Sequence, residues 1–200
     1  MSIETQLVEI AENVPKVYEA GKTDGYNSFW DGYQDKGTKT DYRCAFAGYL
    51  WNNSTFKPKY SLSDIKFTCV LNMFQYSAIT RINYDLDLSG CLNTYANYAF
   101  SNSSVKTIKS VILPKCDNTT IFSNATKLTS IRINGTTEYN FSFNHSPLDK
   151  ESVISAINSL STTTTGKSCA FDKPTVNSTF TTEEWQALIA TKPNWTITLG

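Results

Sequence analysis

Phe74-Gln-Tyr-Ser77-Ala-Ile79-Thr-Arg-Ile82 and Phe100-Ser-Asn-Ser103-Ser-Val105-Lys-Thr-Ile108 are two copies of one pattern. A phenylalanine is followed by a polar turn, a small residue and an aliphatic stretch. Phe122-Ser-Asn-Ala125-Thr-Lys-Leu128-Thr-Ser-Ile131 repeats it with one more residue, and Phe143-Asn-His-Ser146-Pro-Leu148 repeats its first half. The leading phenylalanines stand 26, 22 and 21 residues apart. A unit this short cannot bury its own apolar face, so stacked copies must share a core. The pattern predicts a solenoid with the four rings in one core and strands over 82–88, 108–113 and 131–133.

The 200 residues carry 18 basic and 18 acidic side chains, so no net field favours nucleic acid or an anionic membrane. Asn, Ser and Thr fill the surface instead, with 11 Tyr, 11 Phe and 4 Trp. Aromatic content this high argues against disorder. No segment approaches the roughly 20 apolar residues of a membrane span. Met1-Ser-Ile-Glu-Thr-Gln-Leu7 lacks the basic start and apolar core of a signal peptide, so synthesis and retention in the cytoplasm, or export by another route, is expected. The five cysteines, at 44, 69, 91, 116 and 169, form no C-x-x-C clip and are expected to be reduced.

The flanking regions read as helical. Ile3, Leu7, Ile10, Val14 and Val17 form a seam at alternating spacings of four and three. Such a stripe suits either self-association or packing on the same domain. Pro15 divides it into two short helices, and Tyr26, Phe29, Trp30 and Tyr33 mark a third with one aromatic face. Beyond the repeats, Ser146-Pro147-Leu-Asp149 predicts a helix running to about Leu160, and 168–171 a short strand. Thr181-Thr-Glu-Glu184 predicts a capping box and a helix through Ala190, which Pro193 prevents from extending, and 195–199 a final strand. The expected fold is α/β: a short leucine-rich-repeat solenoid with an N-terminal helical segment and a C-terminal helix–strand–helix–strand cap. The expected divisions are 1–40 (attachment and oligomerisation), 41–147 (solenoid with an irregular lead-in) and 148–200 (cap).

The Phe-x-x-Ser-x-Ile/Val/Leu copies resemble BspA-type leucine-rich repeats. Ile10-Ala-Glu-Asn-Val-Pro-Lys-Val-Tyr-Glu-Ala-Gly21, Phe29-Trp30, Phe56-Lys-Pro-Lys-Tyr60, Lys150-Glu-Ser-Val-Ile154 and Thr181-Thr-Glu-Glu-Trp185 through Lys192-Pro-Asn-Trp-Thr-Ile197 resemble proteins of Firmicutes and their phages. Those are commonly tail-associated or surface leucine-rich-repeat proteins without established catalytic residues. The resemblance implies an interaction role on a virion or surface.

Candidate chemistry is sparse. Ser161-Thr-Thr-Thr-Thr-Gly166-Lys167-Ser168 ends like a phosphate-binding loop, but has Ser161 where the first glycine belongs and a strand expected after it instead of a helix. His145, the single histidine, sits in a repeat turn and reads as a backbone-bonded turn residue. Asp85 with Asp87, and Asp31 with Asp35, are carboxylate pairs of the kind a glycosidase needs, though solvated faces give such pairs too. No metal or cofactor is expected. Tyr76, Tyr84, Tyr95 and Tyr98 lie outside the leading-Phe positions, close in sequence to Asn72, Asn83, Asn93 and Asn97. Tyrosine and asparagine together suit glycan or protein recognition, and such rings can equally complete a core or subunit contact.

The expected function is therefore non-enzymatic: a structural and recognition component of a phage tail or tail-like particle contacting a host-surface receptor. Tyr84, Tyr95, Tyr98, Asn83, Asn93 and Asn97 are the receptor-binding candidates. Partners would be a host cell-surface glycan or protein, other tail proteins and further copies of the chain, with neither nucleic acid nor membrane. Two alternatives are a tail-borne polysaccharide hydrolase using Asp85 and Asp87, and an intracellular protein-binding leucine-rich-repeat module.

Overall fold

The computed structural model describes Tyr42, residues 62–63 and residues 65–200. The helices expected over 1–40, the Ile3, Leu7, Ile10, Val14 and Val17 seam, Asp31, Asp35 and most of the irregular lead-in lie outside the described residues.

Each Phe-led copy opens with the same turn. The residue three beyond the phenylalanine donates its N–H to the phenylalanine carbonyl: Ser77 to Phe74 at 3.1 Å, Ser103 to Phe100 at 3.4 Å, Ala125 to Phe122 at 3.0 Å and Ser146 to Phe143 at 2.9 Å. The residue before it is left-handed each time, with φ of 57° at Tyr76, 52° at Asn102, 52° at Asn124 and 74° at His145. Asparagine tolerates that conformation better than most residues, which explains its recurrence there. His145 is thus an exposed turn residue.

The turns aim the rings inward, where Phe74, Phe100, Phe122 and Phe143 are buried. Successive centroids lie 5.3, 5.3 and 4.6 Å apart with near-parallel planes. Phe171 adds a fifth ring, 6.1 Å from Phe143, and Trp185 meets it edge-on at 6.0 Å.

After the first three turns come strands β1 (Arg81–Asp87), β2 (Thr107–Ile112) and β3 (Ser130–Ile133), paired in parallel in that order. Ile82, Ile108 and Ile131 stand in register and are buried. A second parallel sheet holds β4 (Phe141–Phe143), β5 (Lys167–Phe171) and β6 (Trp195–Leu199). Three helices complete the fold: α1 (Lys150–Asn158), α2 (Lys173–Thr179) and α3 (Thr182–Ala190).

The expected leucine-rich-repeat solenoid with a separate cap is therefore corrected. The described residues form a mixed α/β arrangement of two three-stranded parallel sheets and three helices. The first sheet stops because the fourth copy turns helical. Asp149, rather than the expected Ser146, caps α1 by accepting the Ser152 N–H at 2.8 Å. The helix lies against β3, where Ser152 Oγ and Ser155 Oγ accept the N–H groups of Ile131 and Ile133, both at 2.9 Å. Those are the donors a fourth strand would need, and they are already satisfied. Parallel pairing resumes on the phenylalanine side, where Phe143, Phe171 and Leu199 stand in register at 28-residue intervals. Residues 148–200 thus add two strands and a fifth ring to the core instead of forming a separate cap.

The α3 capping box forms as its sequence indicates. Thr181 Oγ1 accepts the Glu184 N–H at 3.1 Å and Glu184 Oε2 accepts the Thr181 N–H at 3.0 Å. Sequence reading missed α2, although its signal is present: Asp172 accepts the Thr175 N–H at 3.0 Å, and Pro174 lies in the first turn. Lys192, Asn194 and Trp195 bind the chain leaving α1. Lys192 Nζ donates to the carbonyls of Asn158, at 3.1 Å, and Leu160; Asn194 Nδ2 donates to Thr162 O and Trp195 Nε1 to Ser161 O, each at 2.8 Å.

Candidate recognition surface

Between β1 and the Phe100 turn the chain folds tightly. At Gly90 a Cβ would lie 2.5 Å from the Phe67 carbonyl, so the close approach requires glycine. Asn93 follows in the left-handed region at φ 54°, and Asn93–Ala96 forms one turn of 3-10 helix. Ala96, Ala99 and Phe100 point inward and are buried. Leu92 is its extended N-cap residue, Tyr95 lies within it and Tyr98 follows it at φ 57°, and these three exposed side chains mark the outer edge of the segment.

This segment is held by backbone hydrogen bonds against residues 70–76. The N–H groups of Val70, Asn72, Phe74 and Tyr76 donate to the carbonyls of Tyr95, Asn97, Ala99 and Ser101 over 2.7–3.2 Å. Tyr76 is thereby fixed opposite Ser101, three residues beyond Tyr98. Five large apolar side chains are exposed among the described residues, and four belong here: Tyr76 at 60 %, Leu92 at 52 %, Tyr95 at 47 % and Tyr98 at 41 %. Residues 67–80 and 88–105 contain no charged side chain. The edge therefore offers ring faces, amides and hydroxyls without a formal charge of its own.

The six sequence-derived candidates divide between two elements. Asn93, Tyr95, Asn97 and Tyr98 lie on the 3-10 turn and its flanks, whereas Asn83 and Tyr84 lie on β1 beside a register shift. Asn93, Tyr95 and Tyr98 are exposed. Asn97 is half-buried, and its Oδ1 accepts from Asn118 Nδ2 at 3.2 Å, so its side chain helps hold the segments before Phe100 and Phe122 together. Tyr84 is half-buried too, and desolvation raises its phenol above the ordinary tyrosine range. Tyr76, which the sequence already groups with these tyrosines, and Leu92, whose signal was the charge-free stretch around it, are exposed as well.

The other constellations are engaged structurally. Ser110 Oγ donates to Asp85 Oδ1 and Lys109 Nζ lies 2.9 Å from Asp85 Oδ2; both hold the carboxyl below its usual range. A glycosidase general acid needs the opposite shift. Asp87 Oδ1 accepts the Ser89 N–H at 2.9 Å. Lys167, at the end of the phosphate-loop-like stretch, is paired with Asp117 at 2.9 Å, and a strand follows it. The four described cysteines are unpaired, and Cys116 alone among them is not fully buried; its Sγ donates to Asn93 O at 3.2 Å.

No group of three or more His, Cys, Asp or Glu side chains among the described residues could hold a metal ion. No described helix is long and apolar enough to cross a membrane. A concavity of about 720 Å³ lies elsewhere, between β3 and α1. Its lining mixes Lys109 and Arg132 with Asp149 and Glu151 and contains no aromatic ring, so it offers no stacking surface. Comparison with protein-family models, curated proteins and solved structures finds no match to this chain.

Proposed function

We propose that this chain is a non-enzymatic recognition protein that binds a cell-surface glycan or protein through the edge formed by Tyr76, Leu92, Tyr95 and Tyr98, with Asn93 as a hydrogen-bonding neighbour. The observation that carries this reading is the exposure of four large apolar side chains on two charge-free segments, 67–80 and 88–105, that are hydrogen-bonded to each other. Rigid rings supply contact area at low entropic cost, and neighbouring amides give direction. Exposed apolar surface gathered in one place generally marks an interaction site. Resemblance to tail-associated and surface proteins of Firmicutes and their phages suggests the setting, a virion tail or tail-like particle meeting a bacterial surface. Several copies on one particle would turn weak single sites into firm attachment.

The test is binding of the labelled full-length chain to intact Firmicutes cells and to their purified wall polysaccharide. Tyr95→Ala and Tyr98→Ala should each lose about 2 kcal/mol of binding, roughly thirtyfold. Binding should change little between low and moderate salt, because the edge carries no charge to be screened. Variants that remain folded and bind as the unaltered chain does would exclude this edge as the recognition site.

A further inference from the structure

Three of the four sheet edges are covered among the described residues. The N–H groups of Ile131 and Ile133 on β3 end on Ser152 and Ser155. β1 is bridged by Lys66 at Asp87, whose carbonyl also accepts the Phe67 N–H. β4 is bridged by Asn118 at Phe141, and its Phe143 ring stacks on Phe122. The fourth edge is β6, which among the described residues pairs with β5 alone. Its sequence, Trp195-Thr-Ile-Thr-Leu199, is rich in β-branched residues and lacks charge, proline and glycine. Edge strands ordinarily carry a charge, a proline or a bulge that blocks further pairing; β6 has none. Thr196 and Thr198 are exposed, and a recess of about 430 Å³ beside the strand is lined in part by Ile189, Ala190, Pro193 and Ile197.

We propose that β6 is an interaction surface whose occupant is β6 of a second copy, paired antiparallel about a two-fold axis at Ile197. Self-complementarity selects this occupant. Centring the pair on Ile197 sets Thr196 against Thr198 of the second copy and Trp195 against Leu199, combinations that stabilise a sheet. The Trp195 N–H is already held by the Lys192 carbonyl at 3.1 Å, so the backbone donors of the pair are those of Ile197 and Leu199. No strand residue brings a charge against itself across the axis. Lys192, three residues before the strand, is turned inward onto the Asn158 and Leu160 carbonyls, and Lys167, opposite Trp195 on β5, is paired with Asp117. With no net charge, two copies approach without long-range repulsion. The contact is isologous and closes at two copies. A strand pair this short buries less than the roughly 1,200 Å² at the lower bound of stable complexes, so the association depends on concentration.

Sedimentation of the full-length chain tests this. Its solution mass should double between low micromolar and near-millimolar concentration, whatever smaller assembly other surfaces form. Thr198→Lys puts a charge at an exposed edge position and should abolish the doubling while leaving the thermal midpoint in place. Amide hydrogen exchange of the unaltered chain supplies a second reading that does not depend on the variant folding. Protection at 195–199 should rise with concentration while the strands of the first sheet keep theirs. A mass that ignores concentration, a doubling that survives Thr198→Lys, or exchange at 195–199 that ignores concentration would each overturn the proposal.

Discussion

Replacing Phe100 with alanine removes the middle of the ring column and tests the core directly. The side chain is 2 % exposed and lies between Phe74 and Phe122, each with its centroid 5.3 Å away and its plane within 14° of parallel. Truncating a buried phenylalanine costs about 3–5 kcal/mol, and the loss grows when the surroundings cannot collapse into the cavity. Here collapse is resisted from both sides, because the flanking turns are tied to the neighbouring rungs by backbone hydrogen bonds, Phe74 N–H to Ala99 O and Phe100 N–H to Ile121 O. Two stacked partners are also lost, at about 0.5–1.5 kcal/mol each beyond area burial. Part of that is already counted in the truncation figure, so the expected loss is about 5 kcal/mol. Phe171→Ala removes one stacked and one edge-on partner and should cost less. Urea unfolding followed by circular dichroism and tryptophan fluorescence gives both values, provided that the two probes report one transition. A loss at Phe100 of about 0.5 kcal/mol, typical of surface substitutions, would refute the central role given to the column.

Tyr76 holds a left-handed turn position that asparagine fills in the next two copies. Tyr76→Asn should therefore raise stability by about 0.5–1 kcal/mol in urea unfolding while weakening cell-surface binding. Asp85 and Asp117 titrate below their usual value, Asp85 through Ser110 and Lys109, Asp117 through the Asn140 N–H and Lys167. Between their folded-state values and 3.8 the unfolded chain binds more protons, so their small contribution is intact above that range and is lost as pH falls through it. Urea midpoints at mildly and strongly acidic pH should show the loss, and Asp117→Asn should lessen it. Among the described cysteines Cys116 should be the first alkylated in the native state, as mass spectrometry of digested protein would show. Cys69, Cys91 and Cys169 are buried, and desolvation pushes the Cys91 thiol up to about 12. Lys192→Met should cost about 1–3 kcal/mol by thermal or urea unfolding, because the carbonyls of Asn158 and Leu160 lose their shared donor.

Local chemistry was legible where a single turn of chain decides the outcome. The ring positions, the polar turns that follow them, the α3 capping box and the final strand all depend on residues within four or five places of one another, and steric or hydrogen-bonding preference acts at that range. Tyr95 and Tyr98 were legible as surface candidates because they fall outside the inward-facing positions, but sequence grouped with them Tyr84, which is half-buried on β1, and Asn97, which is tied to Asn118. Side-chain type states what a residue can bind, and burial states whether it is available.

The sequence by itself determined the period of the ring column, the turn chemistry that aims each ring inward and the uncharged character of the two segments, 67–80 and 88–105, that carry the exposed aromatics. Only the tertiary structure decided where parallel pairing stops and resumes. Backbone N–H and C=O groups are the same at every residue, so no side-chain pattern announced that Ser152 and Ser155 would occupy the donors of β3, or that Phe171 would stand 28 residues beyond Phe143 as a fifth ring. Strand partnership is a contest between distant segments for the same backbone donors, and it is settled by which of them can also bury its apolar face.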